Sequence, residues 1–356
     1  MRVVVPCGQK KTYTALCVEV TDKKTNIGVK NIKCIYSVLD DMPMLLPQQL
    51  KLWQWMADYY MCTLGDIYKA ALPAGLKAED GYRPKTETYV GLTEKFHDEM
   101  ALNIALDMVS RYEKQQKALA GYLELSHWAE MSGTAIPDDI KEITQTELCN
   151  VTHCTTPTVK SLVKRGILEI YQKEVGRLNT DGEFTPQNAK LLNEAQQEAY
   201  NQVLMQFMKK NVVLLHGVTS SGKTEIYIHL ILKALQDHKQ VLFLLPEIAL
   251  TVQIMERLQR VFGSRLGIYH SKYSDAERVE IWKKQVSACP YDIIIGARSA
   301  ALLPFKNLGL VIIDEEHETS YKQQDPAPRY HARSAAIMLA SMYGAKTLLG
   351  SATPCM

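Results

Sequence analysis

The sequence predicts a multidomain fold: a small, mostly β N-terminal module, a winged helix, and then an α/β lobe built on a parallel sheet. Three observations predict it. At 356 residues the chain exceeds the roughly 250 to 300 residues at which a single hydrophobic core stops growing. The hydrophobic pattern changes twice, from short β-prone runs to helical periodicity and then to continuous apolar strands alternating with amphipathic helices. A glycine-rich turn near Gly217 joins one such strand to one such helix.

In chain order, the runs Val3 to Val5, Thr12 to Val20 and Lys33 to Val38 are separated by polar and glycine turns and read as strands. A helix is expected from Pro47 to Cys62, with Leu50, Trp53, Ala57 and Tyr60 at helical spacing. Aromatics on one helical face can stack on bases, but at that spacing they read as core. This first module is expected over residues 1–105. The winged helix is expected over 106–180, with helices at Gln115 to Leu125, near Pro137 and across Pro157 to Lys164, then a strand at Leu168 to Tyr171. Thr156 would cap the third helix, Pro157 occupies its first position, where a missing N–H costs nothing, and Gly166 ends it. Lys160, Lys164 and Arg165 would face a DNA groove if that helix reads DNA, and would be plain surface if it only packs.

A polar linker with Gly182 and Pro186 precedes the lobe, expected over 185–356. Its strands are Val212 to Leu215, Val241 to Leu245, Leu266 to Tyr269, Ile293 to Ile295, Leu310 to Ile313 and Thr347 to Leu349. Continuous apolar character indicates strands buried on both faces, hence a parallel sheet covered by helices.

The balance of 41 Lys and Arg against 39 Asp and Glu gives a net charge of +2, so any nucleic-acid contact must come from local patches. Eight cysteines contain no CxxC pair; Cys149, His153 and Cys154 read as ordinary thiols and an imidazole rather than a zinc site, as in a reducing cytoplasm. No segment approaches the roughly 20 apolar residues that a membrane helix needs, so a cytoplasmic protein without a membrane partner is expected.

Gly217, Val218, Thr219, Ser220, Ser221, Gly222, Lys223 and Thr224 fit GxxxxGK[ST] between a strand and a helix. Such a turn wraps phosphate oxygens with backbone N–H groups. Lys223 would reach the β and γ phosphates of ATP, and the Thr224 hydroxyl would ligate Mg²⁺. Asp314 and Glu315 follow a buried strand, where an α/β sheet opens its ligand crevice. Asp314 suits Mg²⁺ through water, and Glu315 suits polarising the attacking water. Ser351 and Thr353 after the last strand can hydrogen-bond the acidic cluster that ends in His317. Arg298 and Ser299 follow another buried strand and could hold a phosphodiester, or Arg298 could make a surface salt bridge. Tyr321, Lys322, Tyr330, His331 and Arg333 interleave aromatics with cations, as a single-strand surface does.

These motifs in this order resemble a superfamily 2 helicase, and their wording resembles the PriA family of primosomal replication-restart helicases. The resemblance rests on GVTSSGKTE from Gly217, LLPEIALT from Leu244, His270 with Ser271, IIGARSA from Ile294, LPFKNLGLVIIDEEH from Leu303, SYKQQ from Ser320, RYHAR from Arg329 and GSATP from Gly350. The VPxG turn at Val5 to Gly8 and ADYY at Ala57 to Tyr60 extend it to the front of the chain.

The resemblance implies a RecA-like helicase lobe, ATP-dependent unwinding with 3′ to 5′ polarity at abandoned forks and D-loops, and work with primosome proteins and single-stranded-DNA-binding protein. It implies that the front module holds a DNA 3′ end, with Gly8 and Lys33 in that pocket, and that Gln196 contacts adenine. It implies that the segment from Tyr321 to Arg333 is the aromatic-rich loop that links single-strand binding to hydrolysis, while Ser351 and Thr353, with His317, are expected from their own chemistry to let the nucleotide state be felt elsewhere. The sequence begins about one strand pair later than the family does, and Pro328 stands where an aromatic is common. It stops after GSATP, so the second motor lobe, its arginine fingers and its zinc-binding cysteines are expected to be missing. Since an arginine finger is worth about 10³ to 10⁵ in turnover in other P-loop enzymes, slow hydrolysis is expected. The alternatives are a non-hydrolysing fork-DNA-binding fragment and another superfamily 2 DNA translocase.

Overall fold

The computed structural model describes residues 1–7, 11–21, 33–77, 82, 84–128, 140–174, 182–218, 221–247, 252–270 and 273–354. They form two compact units, Met1–Arg83 with Leu178–Met356, and Pro84–Arg177.

The first unit opens with an antiparallel sheet of β1 (Arg2–Cys7), β2 (Lys11–Leu16) and β3 (Ser37–Val38), in the order β2-β1-β3. Arg2 crosses to Asp40, Nη2 to Oδ1 at 2.6 Å, which pins the sheet to the chain that follows. Helix α1 (Pro47–Tyr59) begins on its proline and buries Leu52, Trp53, Met56 and Ala57, so Trp53 is core as its spacing predicts. Helix α2 (Leu64–Ala71) starts from a capping box in which Thr63 Oγ1 accepts from Asp66 N and the Asp66 carboxylate accepts from Thr63 N. The short α3 (Ala74–Lys77) follows.

The second unit is built on β4 (Thr86–Leu92), α4 (Glu99–Val109), α5 (Glu113–Leu125), β5 (Ile143–Thr144), α6 (Gln145–Thr152), α7 (Thr156–Lys164) and β6 (Leu168–Glu174). Its sheet runs β5-β4-β6, antiparallel, with Leu92 opposite Leu168. The boundary expected at 105 and 106 therefore falls at 83 and 84: β4 is the central strand of this sheet, and its partners lie far along the chain. The helix expected near Pro137 lies outside the described residues. The cap of α7 is Thr155, one residue earlier than expected, and its hydroxyl meets Thr158 Oγ1 at 3.2 Å instead of a backbone N–H. Gly166, at φ +71°, ends the helix as expected.

Back in the first unit, α8 (Glu194–Lys209) leads into β7 (Val212–His216), α9 (Lys223–Gln236), β8 (Gln240–Leu244), α10 (Val252–Phe262), β9 (Leu266–Tyr269), α11 (Asp275–Val286), β10 (Ile293–Gly296), β11 (Leu308–Ile313), α12 (Ala332–Tyr343) and β12 (Lys346–Ser351). The six strands pair in parallel in the order β7-β12-β11-β8-β10-β9, which is the sheet of a RecA-like lobe. β8 and β10 are buried throughout, as their unbroken apolar text requires. β7 departs from that expectation: it is an edge strand, and Val212 and Leu214 are 40% and 45% exposed.

The front module and the lobe share one core, in which Trp53, Met56 and Ile67 join Trp282, Leu302 and Leu339. Polar bonds seal the seam. Gln49 Nε2 donates to Leu302 O at 2.8 Å, Trp282 Nε1 donates to Met44 O at 2.9 Å, and the Asp275 carboxylate accepts from Ala74 N at 2.7 Å and from Gly75 N. Among the described residues no helix is long and apolar enough to cross a membrane.

Candidate nucleotide-binding site

Because all six strands run the same way, the residues that follow β7, β11 and β12 emerge at one edge of the sheet. After β7, Gly222 adopts φ +83° and launches α9 with Lys223 as its first residue. That backbone conformation favours glycine, and a Cβ there would also meet the tip of the Gln196 side chain on α8, 2.2 Å from its Nε2. Gln196 is itself fixed by a capping box: Asn193 Oδ1 accepts from Gln196 N at 2.9 Å and Gln196 Oε1 accepts from Asn193 N at 3.0 Å. The residue expected to contact adenine thus borders the phosphate loop. Lys223 Nζ donates to Gly217 O at 2.9 Å and stands 3.4 Å from Glu315 Oε1. Val218 is exposed, Thr224 is half-buried, Ser221 N donates to Val218 O at 3.2 Å, and Thr219 and Ser220 lie outside the described residues.

After β11, Asp314 N donates to Leu244 O at 3.0 Å, and Tyr227 on α9 donates its hydroxyl to Asp314 Oδ1 at 2.8 Å. Burial pushes the Asp314 carboxyl above its ordinary range, while the Tyr227 hydrogen bond pulls the other way. Glu315 adopts φ +44°, a conformation that costs a non-glycine residue about 1 to 3 kcal/mol and gathers at functional sites. Glu316 N donates to Gly350 O at 3.0 Å, and the buried Glu316 carboxylate pairs with Arg333. His317 joins the acidic strand end to the end of β12: its Nδ1 lies 2.9 Å from Ser351 Oγ and its Nε2 lies 3.2 Å from Thr353 Oγ1. The expected coupling residues therefore do meet.

The donors fit Mg²⁺ delivered with a nucleotide. Asp314 and Thr224 offer hard oxygen ligands, and among the described residues no group of three or more His, Cys, Asp or Glu side chains could hold a metal by itself. Magnesium characteristically takes one or two protein oxygens and completes its shell with phosphate and water.

The segment expected to face single-stranded DNA is largely turned inward. Tyr321 and Tyr330 are each 1% exposed. The Tyr321 hydroxyl donates to Asp314 O at 2.7 Å, and that of Tyr330 donates to Arg298 O at 3.3 Å. Neither ring is available to stack on a base. A tyrosine buries readily once its hydroxyl finds an acceptor, and both have one. Arg333 is held by Glu316, and Arg298 Nη1 donates to Lys322 O at 3.0 Å and to Ser320 O at 3.5 Å, so Arg298 braces the loop instead of making a surface salt bridge. Ser299, Lys322 and His331 remain half-buried at the surface, and Lys33 is exposed. Lys322 Nζ sits 5.5 Å from the Tyr60 ring centroid, and His331 N donates to Tyr60 Oη at 3.1 Å. Gly8 lies outside the described residues.

Sequence reasoning missed Tyr227 and gave no role to Gly350, quoted only within GSATP, or to Glu225 on α9, quoted only within GVTSSGKTE, which pairs with Arg257 on α10. Tyr227 left a signal in its spacing, standing four residues after Lys223 and so on the same helical face.

Three family descriptions match in chain order. The PriA 3′DNA-binding domain (3′BD) matches residues 1–73, the winged helix domain of PriA helicase, Bacteroidota, matches 87–175, and the DEAD/DEAH box helicase matches 193–355. The chain belongs to the PriA replication-restart helicase family. Replication restart protein PriA of Bacillus subtilis is 33% identical over 99% of this chain and 49% of its own length. That of Haemophilus influenzae is 33% identical over 99% of this chain and 45% of its own. That of Helicobacter pylori strain 26695 reaches 44% identity over 46% of this chain. The chain spans about half the length of the full-span PriA relatives. Among solved structures, RecG bound to a three-way DNA junction is 21% identical over 72% of this chain and 28% of that one, with a TM-score of 0.35.

Proposed function

We propose that this PriA-family chain binds ATP with Mg²⁺ at Gly217 to Thr224 and supplies the nucleotide-binding part of a cytoplasmic 3′ to 5′ DNA helicase that restarts replication at forks and D-loops. The observation that carries this reading is the placement of Lys223 between the Gly217 carbonyl and Glu315 at the sheet edge where Asp314 also emerges. Lys223 would exchange those partners for β and γ phosphate oxygens. Thr224 and Asp314 would hold Mg²⁺, whose chemistry here is to neutralise charge between the phosphates. Glu315 would orient water, and Gln196, already against the loop, would meet the base. His317 would pass the state of the acidic cluster to Ser351 and Thr353.

The DNA partners we propose are a 3′ end at the front module, where Lys33 and Gly8 would act, and a single strand near Ser299, Lys322 and His331. Primosome proteins and single-stranded-DNA-binding protein are the protein partners proposed from family membership. Binding of a fluorescent nucleotide with Mg²⁺, with and without a fork bearing a leading-strand 3′ end, tests the reading. Lys223→Ala should lose the nucleotide and keep the fork; a wild-type chain that binds no nucleotide would end it.

A further inference from the structure

We propose that Tyr227 positions Asp314 for magnesium, its hydroxyl engaging Oδ1 so that Oδ2 is the oxygen left to the metal's shell. This rests on the proposed function only for the assignment of Asp314 to Mg²⁺.

Three of the site's elements converge on that hydroxyl. It comes from α9, one turn beyond Lys223; it donates to Asp314 after β11 at 2.8 Å; and it passes over Gly350 in β12. A Cβ at Gly350 would lie 1.9 Å from the hydroxyl and 2.9 Å from Asp314 Oδ1. The bond therefore exists because residue 350 has no side chain. The ring is fully buried and meets Phe243 of β8 edge-on, with centroids 5.5 Å apart at 72°, so its direction is fixed by packing. Packing alone would be served by phenylalanine. An ionised carboxylate accepts only, and a fixed donor on one oxygen selects which oxygen the ion meets. Outer partners of metal-binding groups characteristically act in this way.

The test uses the 356-residue chain and reads fluorescent-ATP affinity against Mg²⁺ concentration, with an EDTA arm, for wild type, Tyr227→Phe, Gly350→Ala and Asp314→Asn. Tyr227→Phe is expected to raise the Mg²⁺ needed for half-maximal effect about 10-fold, with affinity in EDTA unchanged. Gly350→Ala, whose Cβ would displace the phenol and also crowd Asp314 Oδ1, should give at least that shift, and an unaltered Mg²⁺ requirement there overturns the inference even if Tyr227→Phe does not fold. An unaltered Mg²⁺ requirement in both variants overturns the inference, as does an equal loss of affinity with and without Mg²⁺, which would mark a structural role. A wild type indifferent to Mg²⁺, or an Asp314→Asn variant that matches it, overturns the magnesium reading itself and this inference with it.

Discussion

Arg333, from the stretch whose mixture of aromatics and cations suggests a DNA surface, ion-pairs with the 3%-exposed Glu316 beside the nucleotide site. Removing one partner of a buried pair strands the other charge, which costs about 3 to 5 kcal/mol. Arg333→Ala should therefore lower the unfolding free energy, read from urea titration, by that order. Adding Glu316→Gln should recover most of the loss in a double-mutant cycle. A direct DNA-contact role predicts the reverse pattern, with unchanged melting and weaker DNA binding.

Tyr321 gives a second separation of packing from recognition. Tyr321→Phe keeps the ring and loses the hydroxyl bond to Asp314 O, at about 1 kcal/mol. Tyr321→Ala should cost about 3 to 5 kcal/mol as a core truncation. Urea titration reads both, and an alanine variant as stable as wild type would contradict the burial of the ring.

Glu315 combines a catalytic candidate with a left-handed backbone. Glu315→Gln should retain nucleotide binding and reduce any measured turnover by about 10²-fold or more. Glu315→Gly should lose turnover likewise yet melt higher than Glu315→Gln, because glycine relieves the conformational cost at φ +44°.

His331 is a titratable group whose proton affinity folding lowers. Burial, then Arg333 and Lys322, hold its pKa below the ordinary imidazole value, and its buried Nδ1 has no hydrogen-bond partner among the described residues. As pH falls below that ordinary value, the unfolded chain takes up a proton that the folded one refuses, so stability declines until the lowered folded pKa is passed. His331→Asn should flatten this part of the stability profile. Parallel slopes in thermal melts of the two proteins between neutral and mildly acidic pH would remove His331 from the account.

The parts of this fold that could be read from sequence are those carried by contiguous residues. The strand text around Leu310 forces burial on both faces, and Gly217 to Thr224 announces a phosphate loop whatever surrounds it. Relations between distant segments were not legible. β4 belongs to the second unit because it pairs with β6 more than 70 residues later, and no local pattern near Thr86 reports that. An apolar run such as Val212 to Leu215 states that a strand forms, and leaves open whether it lies at an edge. The tyrosines at 321 and 330 have surface-like neighbours in sequence, and only the acceptors waiting at Asp314 O and Arg298 O explain their burial.

The seam closed by Gln49, Trp282 and Asp275 makes the front module and the lobe one mechanical body. The described residues of the front module thus pack in the same compact unit as the sheet. Were a strand terminus held at the front module and a nucleotide at the lobe, as proposed, the two sites would share a common origin of coordinates.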